Sequence, residues 1–291
     1  MKFYIPLLYS ERIKRPGQKY FLYHILGEDF PVLLLSFTCF SSHPLSNAIG
    51  LFLLQIALWC IYEIGYVEND IIGEKFEDKA ILSYNYNSYQ YSFRWWQPWL
   101  WAVCLSVLGV IVISQDIIVI ESKSIASLLL REYNYNPLPV LEGFLFWIGF
   151  LLVLRFMFHI YNHLNKQSRV WFYLLLQGCR YCGFLVLLTT NIIGVMLLIS
   201  KILTRSLQYI LYRYMGGKNS DWPVDFPRYF FFLLIYLLLL CFIAINNRDL
   251  SLIINYQVPL IVVFCLLRGS KHFKQVLSQF IHVREDGSNQ V

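Results

Sequence analysis

The chain has 291 residues, of which 57% are hydrophobic, 18% aromatic and 14% charged, with a formal net charge of +6. Soluble domains run at about 45–50% apolar and about 25% charged, so this composition excludes a soluble globule, a disordered chain, a collagen and a small disulfide scaffold. It fits an all-α, polytopic transmembrane helical bundle, a single integral-membrane domain over 1–291 with no nucleic-acid partner.

A spanning helix needs about 20 apolar residues. In chain order, apolar segments occupy 26–43, 46–67, 97–119, 139–161, 170–188, 191–210, 228–246 and 251–267. Eight spans are therefore expected, nine if the tail supplies one. The first segment is the weakest, because Glu28 and Asp29 stand at its start. The apolar stretch 169–210 is divided at Thr189-Thr190-Asn191 into a helical hairpin. Residues 1–25 form a basic segment. Residues 270–291, with Phe273, Val276, Leu277 and Phe280, form an amphipathic tail suited to a membrane surface. Trp95, Trp96, Trp99 and Trp101 around Pro98 read as an aromatic belt at the entry of the third span.

Short-loop Lys and Arg set orientation. With the N-terminus inside, the inner side collects Lys2, Arg12, Lys14, Arg15, Lys19, Lys75, Lys79, Arg94, Lys166, Arg169, Lys201, Arg205, Arg213, Lys218, Arg228, Arg268, Lys271, Lys274 and Arg284. The outer side holds Lys123, Arg131 and Arg248. Both termini are thus expected in the cytoplasm, with the chain in a bacterial inner membrane. No cleavable signal peptide is expected: Phe3–Tyr9 is apolar but too short. Cys179 and Cys182 have CxxC spacing but no second pair, and are read as packing residues.

The carboxylates are clustered. Between Tyr62 and Asp78 the end of the second span carries Glu63, Glu68, Asp70, Glu74, Glu77 and Asp78. At 100° per residue, Glu63, Asp70, Glu74 and Glu77 fall at about 0°, −20°, +20° and −40° on one face. Like charges at this spacing destabilise a helix, so a cation is expected to compensate. Carboxylate oxygens are what Mg²⁺ prefers, and Mg²⁺ commonly bridges them to substrate phosphates. A second group, Asp221 and Asp225, follows the sixth span beside Lys218. An ordinary solvated helix end and a polar loop would account for the same residues.

Among the cations, Arg180 lies in mid-span and needs a buried acceptor; Asp116 is one candidate partner. Arg155 is placed to snorkel to the interface beside His159 and Tyr161. Lys166, Arg169 and Lys218 are placed to clamp phosphates.

This layout resembles the UbiA superfamily of intramembrane prenyltransferases. Asn69-Asp70 is similar to the start of that family's NDxxDxxxD motif, with Gly73 at the second acid and Glu77 at the third; Glu74 is one position late. Asp221 and Asp225 resemble the second motif by spacing and location. Tyr161, Lys166 and Arg169 resemble the Tyr and Lys-Arg element after the fourth span. The family's nine spans and Arg-Pro element are not matched, so the resemblance is to a divergent member.

The resemblance implies a cavity open to lipid, an isoprenoid or lipid-phosphate substrate and Mg²⁺. It makes Asp70, Glu74, Glu77, Asp221 and Asp225 metal ligands. Asp70, Glu63 and Arg180 become the catalytic candidates, and Asn69, Tyr66, Tyr161, Lys166, Arg169 and Lys218 the substrate-binding ones. The reaction is transfer of a prenyl group, or of a phosphopentosyl group onto a polyprenyl phosphate. The competing expectation is a transporter or flippase for a lipid-linked or small polar substrate, for which buried Arg180, Glu63 and Asp116 would be the relevant charges.

Overall fold

The computed structural model describes residues 3–39, 41, 43–77, 82–86, 93–117, 140–165, 167–214 and 227–288. Every regular element among them is helical. The long helices are α2 (Pro44–Phe76), α3 (Trp96–Ile117), α4 (Val140–His163), α6 (Ile192–Tyr214), α7 (Arg228–Asn247) and α8 (Gln257–Ser288), with shorter α1 (Phe30–Phe37) and α5 (Ser168–Cys182). Five of these, α2, α3, α4, α6 and α7, are long and apolar enough to cross a membrane. The protein is a helical membrane protein.

Contacts divide the chain into two compact units, residues 1–191 and 192–291. In the first, α2 is the central helix and packs against α1, α3 and α4. Its most apolar window is 72% buried, against 22% for that of α4. The outward face of α4 presents Leu141, Leu145, Phe146, Leu152, Val153 and Phe156, an apolar surface suited to lipid rather than water. Pro44 opens α2 after His43, where the missing N–H costs nothing. At 33 residues α2 is about 50 Å long, which exceeds a hydrocarbon core of about 30 Å. The excess places its carboxylate-bearing end where polar groups gather.

Close approach between α2 and α4 depends on Gly65. A Cβ there would overlap the ring of Phe158, which already packs edge-on against Tyr62 at 4.4 Å. Gly65→Ala is therefore expected to destabilise the protein by about 1–3 kcal/mol through overpacking. A thermal-unfolding scan in detergent checks this, and Phe158→Leu in the same chain should recover part of the loss.

Two of the expected spans, 26–43 and 170–188, differ from the reading of the sequence. Residues 26–43 hold i→i+5 helical turns over Phe21–Asp29, then only eight residues of α1. Wider turns of this kind tend to occur at functional positions. Segment 170–188 gives the 15-residue α5 and a 3₁₀ turn, Gly183–Val186. Helix ends at this point and resumes at Ile192, so the break falls at the Thr189–Asn191 position expected.

The basic N-terminal segment is not a free, solvated strand. Tyr4, Leu7, Tyr9, Ser10, Ile13 and Tyr20 are all buried. Tyr9 and Ile13 share an apolar cluster with Val67 and Tyr86.

In the second unit, α7 packs against α6 and α8. Lys201 lies inside α6 rather than in a loop, buried with its ammonium 5.1 Å from the Phe232 ring centre and 5.6 Å from that of Tyr229. It therefore says nothing about orientation, because it is packed in the unit rather than displayed on a membrane face. The expected amphipathic tail is continuous with the last apolar segment, both forming α8.

Candidate functional site

The α2 carboxylates do gather partners of opposite character, each from a different part of the first unit. Glu63 is fully buried. Its Oε2 accepts hydrogen bonds from the Tyr4 hydroxyl at 2.5 Å and the Leu7 N–H at 2.8 Å, and its Oε1 from the Ser10 N–H at 2.6 Å. Leu7 has φ +69°, a left-handed conformation that costs a branched residue free energy and is held by these contacts. Burial first, then the neighbouring Glu63, raises the Tyr4 phenol well above its ordinary value, so it remains the donor.

About two turns further on, Asp70 is nearly as buried. Its Oδ2 accepts from the Tyr9 hydroxyl at 2.7 Å, and its Oδ1 pairs with the Lys14 ammonium. Lys14 also stands 5.9 Å from the ring centre of Tyr66. Glu74, which is exposed, accepts from the Tyr86 hydroxyl at 3.1 Å. Glu77 closes the series with the Arg169 guanidinium at 2.7 Å. Arg169 is anchored by the carbonyls of Leu164 and Asn162, both at 2.8 Å, and lies 5.9 Å from the Tyr161 ring centre. The compensating cations expected for a stripe of like charges are thus Lys14 and Arg169. Asn69 and Tyr66 are half-buried on the same stretch of α2.

Arg180 pairs with Asp29, and the side chain of Asp116 lies outside those described. Asp29 also accepts from the Tyr181 hydroxyl at 2.7 Å. The guanidinium lies 4.6 Å from the Trp59 ring centre and 5.5 Å from those of Tyr62 and Tyr181. Leu33, Leu58 and Phe184 close the apolar side. A charge this enclosed by its own protein holds helices together and does not present itself to substrate. The same applies to Glu63, whose two oxygens serve three donors. As placed here, both hold parts of the first unit together.

Arg155 does not snorkel. Its guanidinium donates to Glu68 Oε2 at 2.8 Å, and Asn162 donates to the same oxygen at 2.9 Å. Lys166, Lys218, Asp221 and Asp225 lie outside the described residues.

The sequence reading missed Asp29, Glu68, Lys14, Tyr4 and Tyr9. One signal was available: an acid inside an apolar segment demands a buried partner, which Asp29 and Arg180 supply for each other. Tyr4, Tyr9 and Lys14 had none, because their partners lie 56–61 residues away along the chain. Comparison with protein-family models, with curated proteins and with solved structures returns no match.

Proposed function

We propose that the protein is a Mg²⁺-dependent intramembrane transferase of the UbiA type. It moves a prenyl group from a diphosphate donor, or a phosphopentosyl group onto a polyprenyl phosphate. The observation that carries this reading is the meeting of Glu77, just after α2 at the end of its acidic series, with Tyr161, from the end of α4, and Arg169, from the start of α5. Two elements 92 residues apart, each assigned by resemblance to one diphosphate site, are neighbours.

The donor types suit the metal, although among the described residues the oxygens of Asp70, Glu74 and Glu77 do not all lie at ligand spacing, so their side chains would have to move to share an ion. Asp70, Glu74 and Glu77 offer hard oxygen ligands, and each accepts from or pairs with a side chain: Tyr9 and Lys14, Tyr86, and Arg169. Bound there, Mg²⁺ would neutralise charge on a diphosphate leaving group. Lys14 and Arg169 supply the fixed positive charge around it, and Arg169 offers a planar fork suited to phosphate oxygens. The C–O bond to the diphosphate breaks with the electron pair leaving on the diphosphate. The acceptor carbon or oxygen forms the new bond and loses its proton. Tyr66 and Tyr161 provide aromatic faces for a developing cation.

The reading is tested by binding. Purified protein in detergent, given Mg²⁺ and a prenyl diphosphate at about 100 times its Kd, should gain about 5–10 °C in unfolding temperature. A phosphopentosyl diphosphate is assayed in parallel. Asp70→Ala, compared with and without ligand so that its own stability cancels, should show no gain. A wild-type protein that responds to neither donor would sink the proposal.

A further inference from the structure

The α2–α4 contact holds a second polar cluster that the transferase reading does not use. His159 and His163 are four residues apart on α4, so they share one face, and their ring centres are 4.3 Å apart. Glu68 reaches them from α2, with Oε1 2.8 Å from His159 Nδ1. One ligand atom from each of Glu68, His159 and His163 lies within 4.8 Å of the others.

The surroundings of these three side chains are those of a metal centre. His163 Nδ1–H donates to the His159 carbonyl at 2.8 Å, leaving its Nε2 lone pair free. A backbone carbonyl in this role is the usual orienting partner of a metal-bound imidazole. Arg155 and Asn162 hold Oε2 of Glu68, and Asn162 is itself fixed by the Gly65 carbonyl at 3.0 Å. That leaves Oε1, now paired with His159 Nδ1, as the oxygen an ion would take in exchange for that contact. Both histidines are exposed, so their rings can swing inward and water can fill the remaining positions.

We propose that Glu68, His159 and His163 bind a divalent transition metal, with three protein ligands and an open position. Two imidazoles and one carboxylate are the ligand set of Zn²⁺ and its neighbours, not of Mg²⁺. Ligand bonds of about 2.0–2.1 Å require the three atoms to close in from their present spacing, which rotation of the exposed imidazoles provides. The bound ion ties α2 to α4, so it stabilises the folded chain. The proposal stands independently of the transferase reading.

The test is a Co²⁺ titration of metal-stripped, full-length protein in detergent, purified without a polyhistidine tag. One equivalent should bind with visible d–d absorption, be displaced by Zn²⁺ and resist a large excess of Mg²⁺. His163→Ala should weaken binding by at least about 10-fold. Because His163 is exposed, this variant keeps the fold. His43→Ala, at the other end of α2, should bind as the wild type does. Absence of stoichiometric Co²⁺ binding overturns the proposal, as does displacement by Mg²⁺ or unchanged affinity in both His159→Ala and His163→Ala.

Discussion

Arg180→Met is expected to lower the unfolding temperature by about 6–20 °C. Removing one partner of a buried ion pair costs about 3–5 kcal/mol, and a unit of this size loses about 2–4 °C per kcal/mol. Two features put Arg180 in this class. Both it and Asp29 are more than nine-tenths buried, and Asp29, which also accepts from the Tyr181 hydroxyl, loses its charged partner once the guanidinium is gone. The loss also removes a cation from the faces of Trp59, Tyr62 and Tyr181. The double variant Asp29→Leu with Arg180→Met leaves no orphaned charge, so it should recover at least half of the loss. A thermal-shift assay with a thiol-reactive dye reads all three proteins. If the single variant melts with the wild type, the pair does not hold the first unit together.

Glu63→Gln should release the N-terminal segment from α2. A carboxylate accepts at both oxygens, whereas an amide places an NH₂ where one donor now points. Either Ser10 N–H or the pair Tyr4 hydroxyl and Leu7 N–H then faces another donor. Leaving a buried donor unsatisfied costs about 1–3 kcal/mol. Proteolysis of a locally opened segment follows the population of the open form. Cleavage by trypsin at Arg12 and Lys14 should therefore rise by about 10-fold or more, since about 1.4 kcal/mol is a factor of ten. Sites elsewhere in the chain act as internal controls. Unchanged cleavage at these two positions would mean that Glu63 does not secure the segment.

Helices were legible in the sequence where a long apolar run had no competing charge. Segments 46–67, 97–119, 139–161, 191–210 and 228–246 each coincide with one of the five helices long and apolar enough to span. Of the remaining three, 251–267 breaks at Asn255-Tyr256 and continues into the charged part of α8, and the other two meet at a buried ion pair that composition does not record. Asp29 turns the first segment inward to meet Arg180, and α5 stops at Cys182 close to that pair. The carboxylate stripe on α2 was also legible, because helical periodicity alone places Glu63, Asp70, Glu74 and Glu77 on one side. What periodicity lacks is the identity of the groups facing that stripe. Tyr4, Tyr9 and Lys14 look like an ordinary basic N-terminus until folding lays them on α2. Glu68 was read as part of the same acidic run, yet it faces α4 and joins Arg155, His159 and Asn162. An interval of two residues from Asp70 turns it about 160° away around the helix, which is why its chemistry differs.

The central claim is that Asp70 belongs to a site that breaks a diphosphate ester. Release of inorganic diphosphate tests it most directly, because prenyl and phosphopentosyl transfer share that product whatever the acceptor. The protein is reconstituted with total membrane lipid, Mg²⁺ and each labelled donor in turn. Wild type should release diphosphate from one donor, with loss on chelation of Mg²⁺. Asp70→Asn should fall by about 10²–10³-fold, the usual cost of removing one group that stabilises charge in a transition state. Equal release from Asp70→Asn and wild type, or none from wild type with either donor, would contradict the account.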